Sequence, residues 1–314
     1  MKILLPEEMD LKPDLPQGVQ ALSYPSEAGV PAEHQDADAL VIWGIPAEHL
    51  RQAAERMPNL RWLQTLASGT ETLLAAGFSK DLVLTSGRGL HDQTVSEHAL
   101  ALILALLRRL PECGQAQLDL RWAGEIGGIQ PLHPAGRITT LVQANVLIWG
   151  FGSIGTRLAS VLRTLGANVT GVARSVGERH GFPVIDHSRL SAHLAGTDIL
   201  VMLLPSSPST DHALSAARLA ELPAHAVVIN VGRGSTVDET ALSQALVQGA
   251  IAGAALDVTQ TEPLPSSSPL WRTPNLLITP HAAGGRPIGA DELITHNLAA
   301  LTGGGHMRNL VEHS

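Results

Sequence analysis

Ten short apolar runs, separated by helix-like stretches and turn residues, set the strongest constraint on how this chain can fold. They are Lys2–Leu5, Leu40–Trp43, Trp62–Leu66, Leu82–Thr85, Val146–Trp149, Val169–Val172, Ile199–Leu203, Val227–Val231, Ala252–Leu256 and Leu276–Thr279. Several are apolar at successive positions, so both faces of the strand must be covered. Such strands belong inside parallel sheets with helices above and below. The alternation therefore predicts an α/β chain with doubly wound sheets. At 314 residues the chain exceeds one comfortable core, and two domains are expected. One set of runs occupies roughly the first 90 residues, and the other begins near Val146. Between them a helix is predicted over Thr94–Glu112, its basic Arg108-Arg109 pair suiting the negative end of the helix dipole. A Gly- and Pro-rich stretch, Trp122–Thr140, follows, and residues 287–301 read as a last helix.

Composition removes several function classes. A net charge of −8 argues against a general nucleic-acid binder. The longest apolar run, Ala99–Leu107, falls well short of the ~20 residues a spanning helix needs, so no membrane partner is expected. Cys113 is the single cysteine, and the 14 histidines include no HExxH pattern, so no metal site is expected. Acidic Glu7 and Glu8 come too early for a signal peptide, and a cytoplasmic protein is expected.

The run Val146–Trp149 leads into Gly150-Phe151-Gly152-Ser153-Ile154-Gly155 and then a helix-like stretch. A strand, this glycine spacing and a helix together form the dinucleotide-binding fingerprint. Gly150 would permit the tight turn, Gly152 would let the backbone approach a pyrophosphate, and Gly155 would allow close helix–strand packing. The amides of Ser153 and Ile154 would face the phosphates at a helix N-terminus. The end of the next strand chooses the nucleotide, and NAD sites usually carry an acid there. Here the sequence is Val172-Ala173-Arg174-Ser175. Arg174 and Ser175 suit a 2′-phosphate, which favours NADP over NAD. The alternative reading of Arg174 is a solvated loop charge.

Three polar residues follow later strands: Arg233 after Val227–Val231, Glu262 after Ala252–Leu256, and His281 after Leu276–Thr279. In a doubly wound sheet ligands bind beyond the carboxyl ends of the strands. Reducing a 2-oxo acid calls for a planar guanidinium to clamp the carboxylate, an acid near neutral pH to protonate the carbonyl oxygen, and a carboxylate to orient that acid. Arg233, His281 and Glu262 fit those roles in turn. Arg88 and His91 sit in Gly87–Asp92, where the first set of runs ends, and a cleft position and an ordinary loop are both open there.

The chain resembles the D-isomer-specific 2-hydroxyacid dehydrogenase family. The resemblance is carried by Gly150–Gly155, Leu203-Leu204-Pro205, Asn230-Val231-Gly232-Arg233-Gly234, Asp257-Val258, Glu262-Pro263-Leu264-Pro265, Pro269-Leu270-Trp271, Pro274-Asn275 and Thr279-Pro280-His281-Ala282-Ala283-Gly284. It implies a Rossmann-type nucleotide domain over 93–284, inserted into a split flavodoxin-like substrate domain of 1–92 plus 285–314. It also implies Arg233 as the substrate-binding arginine, Glu262 as the supporting acid and His281 as the acid/base. Leu204, Pro205 and Val231 join the cofactor-binding set, with Asp257 near the nicotinamide carboxamide. Ser68-Gly69-Thr70 resembles the loop whose amides hold the substrate carboxylate. The Thr94–Glu112 helix and the stretch to Thr140 would form a homodimer contact.

Ala173, in place of the usual acid, resembles the glyoxylate/hydroxypyruvate reductase branch. The alternatives are a phosphite or phosphoglycerate dehydrogenase of the same family, or a non-enzymatic, nucleotide-sensing corepressor-like protein.

Overall fold

Each of the ten apolar runs contributes a strand, and alternate residues of those strands feed two separate cores. The computed structural model describes residues 1–134 and 136–312. The chain divides into two units, Met1–His91 with the segment from Arg286 onward, and Asp92–Gly285.

In the first unit, strands β1 (Lys2–Pro6), β2 (Gln20–Tyr24), β3 (Ala39–Ile42), β4 (Trp62–Thr65) and β5 (Val83–Thr85) form a parallel sheet in the order β2-β1-β3-β4-β5. This is the flavodoxin-like doubly wound order. Leu4, Leu40, Leu63 and Leu84 face one core with Leu50 and Ala53 of helix α1 (Ala47–Arg56). Ile3, Leu5, Val41 and Trp62 face the other, against Leu293, Ile294 and Leu298 of the C-terminal helix Ala290–Gly303. That helix is also pinned by a buried polar chain. Asn297 donates to Gln64 Oε1 at 2.8 Å and accepts from the Arg308 amide at 2.7 Å, while the Thr85 hydroxyl donates to the same Gln64 oxygen. His91 is buried, with Nε2 2.8 Å from the Leu66 carbonyl and its ring stacked on Trp43, so it belongs to the packing of this unit.

The second unit holds an eight-stranded sheet, β6 (Asn145–Trp149), β7 (Asn168–Val172), β8 (Gly177–Arg179), β9 (Phe182–Ile185), β10 (Ile199–Met202), β11 (Val227–Asn230), β12 (Gly253–Leu256) and β13 (Leu276–Ile278). The order is β13-β12-β11-β10-β6-β7-β9-β8, parallel except for the β8–β9 hairpin. Val146, Ile148, Ile199 and Ile229 pack against helices α3 (Asp92–Leu107) and α5 (Ser153–Thr164). Leu147, Trp149, Leu200 and Val228 pack the opposite face, with Leu242 and Leu246 of helix α8 (Glu239–Val247). The period-2 alternation of these runs thus covers both faces, as a Rossmann-type sheet requires. The order reverses between β6 and β10, the switch point where such sheets bind ligands.

The structure corrects two helix readings. The predicted helix over Thr94–Glu112 is two, α3 and then α4 (Leu110–Leu118), with Arg109 left-handed at φ 52° between them. Pro111 has no amide hydrogen to continue the first helix, so the chain turns and restarts. The last helix starts at Ala290 rather than 287, after Gly289 at φ 81°.

Replacing buried Asn297 with alanine removes the acceptor of the half-buried Arg308 amide and one donor to Gln64, and loosens the C-terminal helix. We expect a loss of about 1–3 kcal/mol, read as a lower midpoint in thermal or urea unfolding with the native far-ultraviolet spectrum kept.

Candidate functional site

The two sheet-edge loops that end β6 and β11 are set by glycines with no room for a side chain. A Cβ on Gly150 would meet the Leu203 carbonyl oxygen at 2.5 Å, and Gly150 has a φ of +107°. A Cβ on Gly155 would meet the Gly150 oxygen at 2.8 Å, so α5 starts hard against the strand end. Gly152 differs, since a Cβ there would enter open space. Gly152 is the N-cap of α5 without a capping side chain, and no acid lies in the first turn. The amides of Ser153 and Ile154 are therefore presented to an anion from outside, which suits a dinucleotide phosphate. Beside them lies a depression of about 820 Å³, lined by Gly152, Ser153, Arg157 and Arg179 among others.

Arg174 and Ser175 lie past the end of β7, both exposed. The Ser175 hydroxyl accepts from Arg179 Nη2 at 2.7 Å, and Arg179 Nη1 donates to the Phe151 carbonyl at 2.8 Å. Leu204 and Val231 are buried in the two cores. Contact with a ligand would come from their backbone. Pro205 is exposed and its carbonyl accepts from Thr210.

His281 and Glu262 are brought together. Nδ1 of His281 lies 2.7 Å from Glu262 Oε2, and the other carboxylate oxygen accepts from the Thr259 amide at 2.9 Å. Both side chains are partly open to solvent, 48% and 37%. With Nδ1 donating to Glu262, Nε2 is the nitrogen left to exchange a proton. Arg233 stands at the next strand end inward, its Nη1 donating to the Gly232 carbonyl at 2.7 Å. Its backbone oxygen accepts from buried Asn230 and from the Thr236 hydroxyl. A Cβ on Gly234 would fall 2.0 Å from the Thr259 backbone, so the Arg233 loop presses against the Glu262 loop. Glu239 joins that edge, its carboxylate accepting from the Gln260 amide at 2.6 Å. Burial pushes the Glu239 carboxyl above the usual carboxylate range, and the nearby Glu262 charge adds to this.

Asp257 is 2% exposed. Its Oδ1 accepts from the Thr279 hydroxyl at 2.5 Å and the Ala282 amide at 2.8 Å, and Oδ2 accepts from the Ala283 amide at 3.1 Å. The His98 ring on α3 completes the set, with Nε2 3.1 Å from Oδ1. This carboxylate fixes the loop on which His281 sits left-handed at φ 50°. Sequence reasoning missed His98, Arg157 and Arg179. A histidine directly before the apolar run Ala99–Leu107, and arginines one turn into α5 and five residues past Arg174, were the available signals.

Ser68, Gly69 and Thr70 follow β4 in the first unit, at the start of the short helix α2 (Glu71–Leu74), with Ser68 exposed. Among the described residues, no group of three or more His, Cys, Asp or Glu side chains could hold a metal ion, and no helix is long and apolar enough to cross a membrane.

The model of the D-isomer specific 2-hydroxyacid dehydrogenase NAD binding domain matches residues 100–283. The glyoxylate/hydroxypyruvate reductase A of Serratia proteamaculans is 32% identical over 283 residues, covering 87% of this chain and 86% of that one. The crystal structure of a D-isomer specific 2-hydroxyacid dehydrogenase family protein from Aeromonas salmonicida superposes with a TM-score of 0.85 at 28% identity, covering 100% of this chain and 99% of that one. A D-isomer specific 2-hydroxyacid dehydrogenase from Xanthobacter autotrophicus, solved with NADPH and MES, gives a TM-score of 0.77 at 31% identity, covering 95% and 91%.

Because the Asp257 carboxylate holds the Ala282 and Ala283 amides, Asp257→Ala should release them. A charged hydrogen bond is worth about 1.5–3 kcal/mol, so their hydrogen exchange should speed up about ten-fold or more. Unchanged protection would show that the loop is held by something else.

Proposed function

Because the chain belongs to the D-isomer specific 2-hydroxyacid dehydrogenase family, we propose that it reduces a small 2-oxo acid of the glyoxylate or hydroxypyruvate kind, with NADPH preferred over NADH. It is an oxidoreductase that moves a hydride between a nicotinamide dinucleotide and the 2-position of a 2-hydroxy or 2-oxo acid. The observation that carries the residue assignment is the 2.7 Å His281–Glu262 pair, at the same sheet edge as the glycine turn. The substrate class is supported by the reductases it resembles, and NADPH by the Xanthobacter protein solved with it.

In this reading Asp92–Gly285 is the nucleotide domain and the other unit the substrate domain. When bound, the reduced nicotinamide supplies the hydride to C2. The His281 imidazolium gives its Nε2 proton to the carbonyl oxygen as negative charge grows there, and takes it back in the oxidation direction. Glu262 orients the ring and balances its charge. Arg233 grips the substrate carboxylate with its planar fork. Ser68, Gly69 and Thr70 are assigned to anion binding through their backbone amides. Asp257 acts through the loop it anchors.

His281→Ala should lower kcat about 10²–10⁴-fold in both directions, with the affinity for NADPH kept. A screen of short 2-oxo acids with NADPH and NADH is the direct measurement. Near-normal turnover in the variant removes His281 from the chemistry, and no turnover of any acid by the wild type removes the reading.

The protein is also proposed to be a homodimer. Leu120 and Trp122, just past α4, are 96% and 95% exposed, and Leu118 and Leu132 flank them in the open. So much apolar surface on one segment marks an interaction face. Light scattering should give twice the chain mass of 33.0 kDa, and a Leu120→Glu, Trp122→Glu double variant should give a monomer. A monomeric wild type overturns this.

A further inference from the structure

Arg179 closes the edge hairpin β8–β9, yet its side chain reaches back to the glycine turn. One guanidinium donates to the Phe151 carbonyl at 2.8 Å and to the Ser175 hydroxyl at 2.7 Å. It therefore ties the turn after β6 to the segment after β7. Arg157 stands one helical turn beyond Ser153, and both arginines line the depression of about 820 Å³ beside that turn. His180 lines it too, and Asp92 is the acid on its wall. Arg174, by contrast, is exposed and does not line it.

We propose that Arg179, with Ser175 and Arg157, forms the subsite for the 2′-phosphate of an adenine dinucleotide. The inference rests on the reading of the chain as a nicotinamide-dependent dehydrogenase. A ribose 2′-hydroxyl is neutral and would be met by a carboxylate, and Ala173 supplies none. A 2′-phosphate is close to dianionic and takes charged forks. A guanidinium has five N–H donors, and the Phe151 and Ser175 oxygens leave donors over for an anion. Because Arg179 is already held by two separate segments, little side-chain freedom remains to be lost on binding. Among the described residues Arg157 makes no hydrogen bond or ion pair, so it adds a second cation with no structural bond to break.

The test is calorimetric titration of the cofactor-free protein with adenosine 2′,5′-bisphosphate, with 5′-AMP and inorganic phosphate as references. The wild type should prefer the bisphosphate over 5′-AMP about hundred-fold, as two charge-assisted contacts imply. Arg179→Met should raise the Kd for the bisphosphate about ten-fold or more and change that for 5′-AMP less than about three-fold, with Arg179→Lys between. Arg157→Ala, a surface change that leaves the turn intact, should shift the same ratio in the same direction. If Arg179→Met weakens both nucleotides equally, Arg179 only shapes the turn, and the subsite is overturned while the NADPH reading stands. If both variants keep the preference and Arg174→Ala removes it, the phosphate belongs to Arg174. A wild type that binds the two nucleotides alike, or inorganic phosphate as tightly as the bisphosphate, overturns the subsite and the NADPH preference together.

Discussion

A single buried carboxylate carries the geometry of the acid–base pair. Asp257 is taken out of water at the end of β12, and a bare charge there would be costly unless hydrogen bonds replace its hydration. The replacement comes from one short segment: the Thr279 hydroxyl and the Ala282 and Ala283 amides, with His98 approaching from α3. Those donors bracket His281. Its left-handed backbone, with φ 50°, is a conformation that a non-glycine residue keeps only where its surroundings over-determine it. Asp257 does this by holding both sides of the residue. The backbone that carries the imidazole is thus set by an interaction in which the ring takes no part, and Glu262 then fixes the ring.

The loops beside it are registered by contact between backbones. Gly150 leaves no space against Leu203, Gly232 against Leu204, and Gly234 against Thr259. These residues follow β6, β10, β11 and β12, which are neighbours in the sheet. Each glycine lets one strand-end loop lie directly on the next. The glycine turn, the Leu203–Pro205 loop, the Arg233 loop and the Glu262 loop therefore form one stack. The anion-presenting end of α5 and the acid–base pair sit at opposite ends of it. Protein interiors at this density transmit a displacement rather than absorb it. A side chain at any of these three positions would shift groups beyond its own loop.

The same physics explains what could be read from the sequence. Runs such as Ile199–Leu203 are apolar on both faces, and only a covered parallel strand satisfies that. Parallel strands place all their C-terminal ends on one edge, which is why Arg233, Glu262 and His281 could be grouped from strand order alone. The residues missed are those whose partners come from elsewhere in the fold. Strand β8 is an exposed edge with no apolar pattern, and Arg179 gains its meaning only when the hairpin folds back on Phe151. His98 looks like one polar residue on a core helix until α3 packs against the sheet. Leu204 and Val231 follow their strands where the sequence puts them, but their side chains pack into the cores.

The electrostatics of this arrangement are local. The chain carries −8 overall, a field that repels both an anionic dinucleotide and an anionic acid at a distance. That field is screened within about 8–10 Å at physiological salt. What an arriving anion meets at the glycine turn is different: the uncapped amides of α5, with Arg157 and Arg179 beside them. Helix α8 makes the contrast plain, because Asp238 caps it through the Ala241 amide and Glu239 occupies its first turn. The sequence spends acids on that helix end and withholds them from α5. An acidic protein thereby keeps the N-terminal end of α5 clear of acids, with Arg157 and Arg179 beside it.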